Sequence, residues 1–157
     1  MLPSIISTTC THLFYALVWL RPDLIRGGVN SITQVSIAGK GAQLMSMAAV
    51  MYRYASDWRY YEIKVALIII GQILNLTVYN KLGLEGVYYG GQFKKLPMIT
   101  SFPYNITPNP QYIGCMLTQY GVFLFYPYRE MLIISVYSML WYILTSEIEK
   151  IPKIKIS

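Results

Sequence analysis

The sequence predicts an all-α fold, a polytopic membrane bundle of four to five membrane helices, on three observations. Fifty-five per cent of the residues are hydrophobic and 13% are charged. The charges gather in short clusters between long uncharged runs, whereas a water-soluble domain of this size needs a more polar surface. A helix that crosses hydrocarbon needs ~20 largely apolar residues at ~1.5 Å of rise each, and five segments approach that length. No internal repeat or low-complexity segment divides the chain, so residues 1–157 read as a single membrane-embedded domain.

The first segment, residues 4–20, carries only His12 as an ionisable group besides its cysteine and tyrosine. No positive residue precedes its apolar run and no small-residue cleavage site follows, so it is expected to stay in the mature protein. Pro3 and several Ser and Thr residues make it the weakest span, one that can dip into a single leaflet instead. The second, residues 42–54, is short and rich in methionine and alanine. The third, residues 65–79, holds the run Ala66, Leu67, Ile68, Ile69, Ile70 and is the clearest span. The fourth, residues 111–126, and the fifth, residues 131–146, are joined tightly around Pro127, Tyr128 and Arg129, which predicts a hairpin.

Lysine and arginine set the topology, because positive loops tend to stay on the cytoplasmic or matrix side. With five spans, Arg21, Arg26, Lys40, Lys81, Lys94, Lys95, Lys150, Lys153 and Lys155 fall on one side. Arg53, Arg59, Lys64 and Arg129 fall on the other. The net charge of +6 fits attraction to anionic headgroups. It does not indicate nucleic acid, since no basic stretch with interleaved aromatics is present. Cys10 and Cys115 sit inside apolar segments and form neither a disulfide framework nor a metal-ligand spacing. With His12 the only histidine, a Ser-His-Asp triad or a histidine metal cluster has no basis. No span carries a charge in its middle and no repeat is evident, which argues against a transporter or channel.

The connection between the third and fourth spans holds the most information. It begins Lys81, Leu82, Gly83, Leu84, Glu85, Gly86, Val87, Tyr88, Tyr89, Gly90, Gly91, with Gly83, Gly86 and Gly90 at near-helical spacing. Glycine lets backbone approach either another helix or a ligand, and the spacing alone leaves both open. Then follow Phe102, Pro103, Tyr104, Asn105, Ile106, Thr107, Pro108, Asn109, Pro110, Gln111, Tyr112, Ile113, Gly114. Its three prolines forbid a regular helix until Pro110 opens the fourth span. Irregular polar backbone at a membrane surface must be satisfied by water, protein or ligand.

The pattern Phe-Pro-Tyr-Asn-Ile-x-x-Asn-Pro-x-Tyr-x-Gly, preceded by Gly-x-x-Gly-x-x-x-Gly, resembles the signature of the phosphatidylethanolamine N-methyltransferases and related small phospholipid methyltransferases. The resemblance is specific over residues 82–121 and weaker but collinear elsewhere. Isoprenylcysteine carboxyl methyltransferases and membrane sterol reductases share a broader version with Arg-Pro or His-Pro where this chain has Asn109-Pro110, which favours a lipid amine. The resemblance implies about four membrane helices, a pocket for S-adenosylmethionine near one membrane face, and methyl transfer to the ethanolamine nitrogen of a phospholipid, ending at phosphatidylcholine.

The family's cofactor motifs, Gly-x-Gly before the Asn-Pro loop and Glu-Glu after the last helix, are partly present. The first reads Ile69, Ile70, Gly71 and the second Glu147, Ile148, Glu149. The resemblance thus implies cofactor contacts from Gly71, Gly83, Gly86, Gly90, Glu147 and Glu149, with Glu147 foremost, and substrate contacts from Tyr104, Asn105, Asn109 and Tyr112. A carboxylate at the membrane edge can pair with the cationic part of S-adenosylmethionine. Tyrosine faces, Tyr88 and Tyr89 among them, can stabilise a methylated ammonium by about 0.5–2 kcal/mol each. No residue is assigned as the catalytic base, and no metal is implied. The expected partners are the bilayer and a phospholipid substrate, in the endoplasmic reticulum first and a mitochondrial membrane second. The alternative, motivated by the departures at Ile69 and Ile148, is a methyltransferase-like structural subunit of a larger membrane complex that has lost catalysis.

Overall fold

A computed structural model describes residues 1–25, 28–89 and 99–150. It contains α1 (Leu2–Leu20), a single 3-10 turn (Pro22–Leu24), α2 (Gly28–Met51), α3 (Tyr61–Val87), α4 (Pro110–Phe125) and α5 (Arg129–Ile148). The described residues are all-helical or irregular, with no strand. Helices α3 and α4 form the most extensive pair, α1 packs on α2 and α5, and α5 also packs on α4. The expected α4–α5 hairpin is present, and its link meets the α2–α3 link: Asp57 donates its backbone N–H to Phe125 O at 2.7 Å, and Tyr54 stacks on Tyr128.

Two helices, α3 and α5, are both long and apolar enough to cross a membrane, against the four to five spans the sequence predicts. Helix α4 has 16 residues, fewer than the ~20 a perpendicular crossing needs. Helices α1 and α2 have 19 and 24 residues but are diluted by Ser, Thr, Gln and Gly. Those polar residues are largely the ones turned inward. Ser4, Thr8, Thr11, His12, Ser36, Gln43, Gln119, Ser135, Ser138 and Thr145 are buried, while Leu2, Ile6, Leu13, Leu44, Ile69, Ile73, Leu76, Leu132, Leu140 and Ile143 are exposed. This inverted distribution suits an apolar exterior, where small and hydroxylated residues pack helix to helix. Within it, His12 Nδ1 lies 2.8 Å from Thr145 Oγ1, which itself donates to Trp141 O.

Two helix boundaries differ from the sequence expectation. Helix α2 starts at Gly28 rather than at 42, because its first turns are polar and an apolar run does not register them. As a result Lys40, expected in a loop, sits within the helix. Helix α3 runs on to Val87, so the start of the glycine-rich connection is helical. It is interrupted only at Gly83, whose φ of 67° and ψ of 173° lie in a region that essentially only glycine adopts.

Helices α3 and α4 cross backbone to backbone. A Cβ built on Gly71 would lie 2.5 Å from Gly114 O, and one built on Gly114 would lie 2.6 Å from Gly71 O. Both glycines therefore remove a side chain that the crossing cannot hold. Gly114→Ala is expected to lower stability by roughly 1–3 kcal/mol through overpacking, read as a lower thermal midpoint in detergent. Gly41→Ala, which meets nothing within 4 Å, should be neutral or raise stability by up to about 1 kcal/mol. Equal midpoints for the two variants would contradict this crossing.

Candidate functional site

The start of α4, the end of α5 and the end of α3 converge at one end of the bundle. Pro110 occupies the first helical position of α4 and is buried, where a missing N–H costs nothing. Asn109, preceding it, donates from Nδ2 to Ser146 Oγ at 2.6 Å, which ties the Asn-Pro loop to α5. One turn into α4, Tyr112 reaches Glu149, the residue that caps the C-terminus of α5. Its hydroxyl donates to Glu149 Oε1. Tyr89, just past α3, donates to the same oxygen at 2.6 Å, with the two tyrosine hydroxyls 2.9 Å apart.

Both bonds fall on Oε1, so among the described residues Oε2 keeps its lone pairs. Burial pushes the Glu149 carboxyl above the ordinary glutamate value, and the bonds from Tyr112 and Tyr89 act in the opposite sense. Burial also pushes the Tyr89 hydroxyl well above its usual value, which keeps it a donor. The rings enclose the group: Tyr89 meets Tyr15 at 5.3 Å and Trp19 at 6.0 Å edge-on, and Tyr112 meets Tyr142 at 5.8 Å between centroids.

Behind this wall lies a cavity of about 300 Å³ between α2, α3, α4 and α5, at the small end of the ~300–1,000 Å³ typical of small-molecule sites. Lys40, Gln72, Asn75, Gln111, Thr118 and Gln119 supply its polar lining, and Leu44, Met47 and Val122 its apolar lining. Lys40, Tyr88, Gln111 and Tyr142 also line a gap of about 10 Å³ that includes Tyr15, Tyr89 and Tyr112. The gap has room for about one water. It borders both the residues it shares with the cavity and the tyrosines that hold Glu149.

The residues singled out from the sequence divide accordingly. Asn109, Tyr112 and Glu149 are brought together. Glu147, expected to lead, is exposed and pairs with Lys150 at 2.6 Å. Two residues on a helix are about 200° apart, so only one of Glu147 and Glu149 can face inward. Tyr104 is half-buried and Asn105 exposed in the loop. Gly71 is at the α3–α4 crossing, Gly83 is at the kink, and Gly86 is in the last turn of α3. Gly90 lies outside the described residues. Sequence reasoning missed Lys40 and Tyr142. A signal for Lys40 existed, since it is the only charged residue between Arg26 and Arg53.

Residues 60–152 match the phospholipid methyltransferase family, a stretch that holds α3, α4, α5 and Glu149. The chain is 33% identical over 105 residues to a phosphatidyl-N-methylethanolamine N-methyltransferase of Arabidopsis thaliana, covering 66% of this chain and 62% of that protein. It is 39% identical over 66 residues to the protein of the same name in Saccharomyces cerevisiae, covering 41% of this chain and 32% of that protein. It is 34% identical over 79 residues to phosphatidylethanolamine N-methyltransferase A of Dictyostelium discoideum, covering 47% and 37% respectively. The chain thus spans about three fifths or less of these relatives' lengths. No solved structure matches it. With its last three helices matched as one continuous stretch, the chain belongs to the phospholipid methyltransferase family.

Proposed function

We propose that this protein transfers methyl groups from S-adenosylmethionine to the ethanolamine nitrogen of a membrane phospholipid, towards phosphatidylcholine, as an integral protein whose four to five helices lie in the bilayer. The observation that carries this is Glu149, a half-buried carboxylate gripped through one oxygen by Tyr89 and Tyr112, its other oxygen without a partner among the described residues, beside a cavity that opens among apolar side chains. The site fits the donor chemically. An inward carboxylate among tyrosine rings suits a ligand with ammonium and sulfonium charge, by ion pairing and by cation–π attraction. The family resemblance points to the endoplasmic reticulum as the membrane concerned.

S-adenosylmethionine, when bound, supplies an electrophilic methyl group on a sulfonium. The protein's own part is alignment and exclusion of water. With the donor held by Glu149, Tyr89 and Tyr112, the amine lone pair would form the new N–C bond as the S–C bond breaks, S-adenosylhomocysteine would leave, and the amine's proton would pass to solvent. Such a displacement gains most from two substrates held in line. The bundle provides for this by placing a carboxylate anchor on one side of the Tyr88–Gln111–Tyr142 wall and the cavity on the other. The departures from the family pattern do not disturb this arrangement. Ile69 is 52% exposed on the outer face of α3, about 200° around the helix from Gly71. The inserted Ile148 leaves Glu149 turned towards the tyrosines. Both observations favour a catalytic protein over a structural subunit.

Calorimetry with S-adenosylmethionine on the detergent-purified protein tests the assignment. Glu149→Gln is expected to weaken binding by about tenfold or more, as for loss of a charge-assisted bond of roughly 1.5–3 kcal/mol. Glu147→Gln should remain close to wild type. The reverse order would move the anchor to Glu147, and an unchanged Glu149→Gln would remove it from the site.

Acidity supplies an independent reading. Because the Glu149 pKa is raised, its carboxylate is lost as pH falls through a value above that of an ordinary glutamate. Donor binding should therefore weaken in mild acid in the wild type and stay flat in Glu149→Gln. Tyr112→Phe removes a bond that lowers this pKa, so its loss of binding should begin at higher pH. A Tyr112→Phe profile shifted to lower pH would contradict the geometry.

A further inference from the structure

Helix α2 precedes the family-matched stretch, yet it contributes the one charged side chain among the described residues that line the cavity. Lys40 Nζ donates to the Tyr142 hydroxyl at 2.9 Å and stands 4.8 Å from the Tyr142 ring centroid and 5.9 Å from that of Tyr15. Among the described residues it has no ion pair. One of its three N–H groups is engaged and two are left for a ligand. No carboxylate among the described residues lines the cavity. Its other polar groups, the amides of Gln72, Gln111 and Gln119 and the hydroxyl of Thr118, include several donors. A half-buried ammonium among amides and hydroxyls, with no counter-charge of its own, is complementary to an anion.

We infer that Lys40 binds the phosphodiester of the phospholipid acceptor, seating the headgroup in the cavity between α2, α3 and α4. The apolar wall argues for a lipid over a free anion. Leu44, one turn beyond Lys40, lines the cavity and is also 61% exposed on the outer surface of α2, so an acyl chain can leave the cavity directly along the apolar exterior. The arrangement also sorts charge. Lys40 bonds to Tyr142, Tyr142 packs on Tyr112, and Tyr112 bonds to Glu149. A cation and an anion are thus held at opposite ends of a tyrosine wall, with the phosphodiester on the cationic side. That the bound lipid is a methyl acceptor rests on the methyltransferase reading, whereas the anion site does not.

The test is calorimetric titration of the full chain in a non-ionic maltoside detergent. Dihexanoyl phosphatidylethanolamine, inorganic phosphate and S-adenosylmethionine are titrated separately into wild type, Lys40→Gln, Lys40→Met and Lys40→Arg. The expected result is that the short-chain lipid binds wild type, that both neutral variants lose about tenfold or more of that affinity, and that Lys40→Arg retains most of it. Lipid binding unchanged in the neutral variants would overturn the assignment. So would a loss confined to S-adenosylmethionine, which would give Lys40 to the donor's carboxylate. Lys40-dependent binding of inorganic phosphate without lipid binding would make the site one for a free anion and overturn the lipid assignment. Unfolding of both neutral variants, seen by circular dichroism, would make Lys40 a structural residue and overturn it too. If instead wild type binds lipid through Lys40 but fails to bind S-adenosylmethionine, the methyltransferase reading fails and the phosphodiester site stands.

Discussion

Helices α3 and α4 meet where neither has a side chain. The contact of Gly71 with Gly114 brings two backbones to a distance at which a single added carbon would strike a carbonyl oxygen. In an apolar exterior there is little hydrophobic gain from pressing helices together, and close packing of small residues takes its place. The consequences spread from this point. The crossing sets Gln72 and Asn75 opposite Cys115 and Thr118, where Gln72 Nε2 donates to Thr118 Oγ1 at 3.0 Å. It also aligns the far ends of α3 and α4, so that Tyr89 and Tyr112 arrive at one carboxylate oxygen.

A second constraint follows from burying polar groups away from water. Each such group needs a partner within the fold or a ligand. Some inward hydroxyls bond to backbone one turn away, as Thr11 does to Ser7 O and Thr118 to Gly114 O, whereas those of Ser4, Thr8 and Ser135 have no hydrogen-bond partner among the described residues. Lys64 is held by Asp57 through both the backbone carbonyl, at 2.7 Å, and the carboxylate, at 3.3 Å. Among the described residues, Lys40 and Glu149 at the tyrosine-walled end are held by neutral partners only. That difference separates the bundle's structural polarity from the polarity that a ligand can use.

Much of this was legible in the sequence, and what was not has physical causes. The long uncharged runs announced α3, α4 and α5, because in those segments apolar composition and helix coincide. The first half of α2 is helical without being apolar, so the apolar run begins only at residue 42 and leaves Lys40 in an expected loop. The Asn-Pro loop and Tyr112 were found through a pattern whose spacing survives in one dimension. The choice between Glu147 and Glu149 was not available there. It depends on which face of the last turn of α5 points at α4, and residues two apart point in nearly opposite directions. Gly71, a cofactor contact by the resemblance, meets Gly114 in the fold, a pairing across 43 residues that no local spacing reveals.

Glu149 and the adjoining cavity are proposed to align a methyl donor with a lipid amine. The most direct measurement reconstitutes the purified chain in liposomes containing phosphatidylethanolamine, adds S-adenosylmethionine labelled in its methyl group, and follows label into the lipid fraction. The account predicts label in the headgroup nitrogen of the phospholipid. A folded protein that binds both compounds and leaves the lipid unlabelled would contradict it.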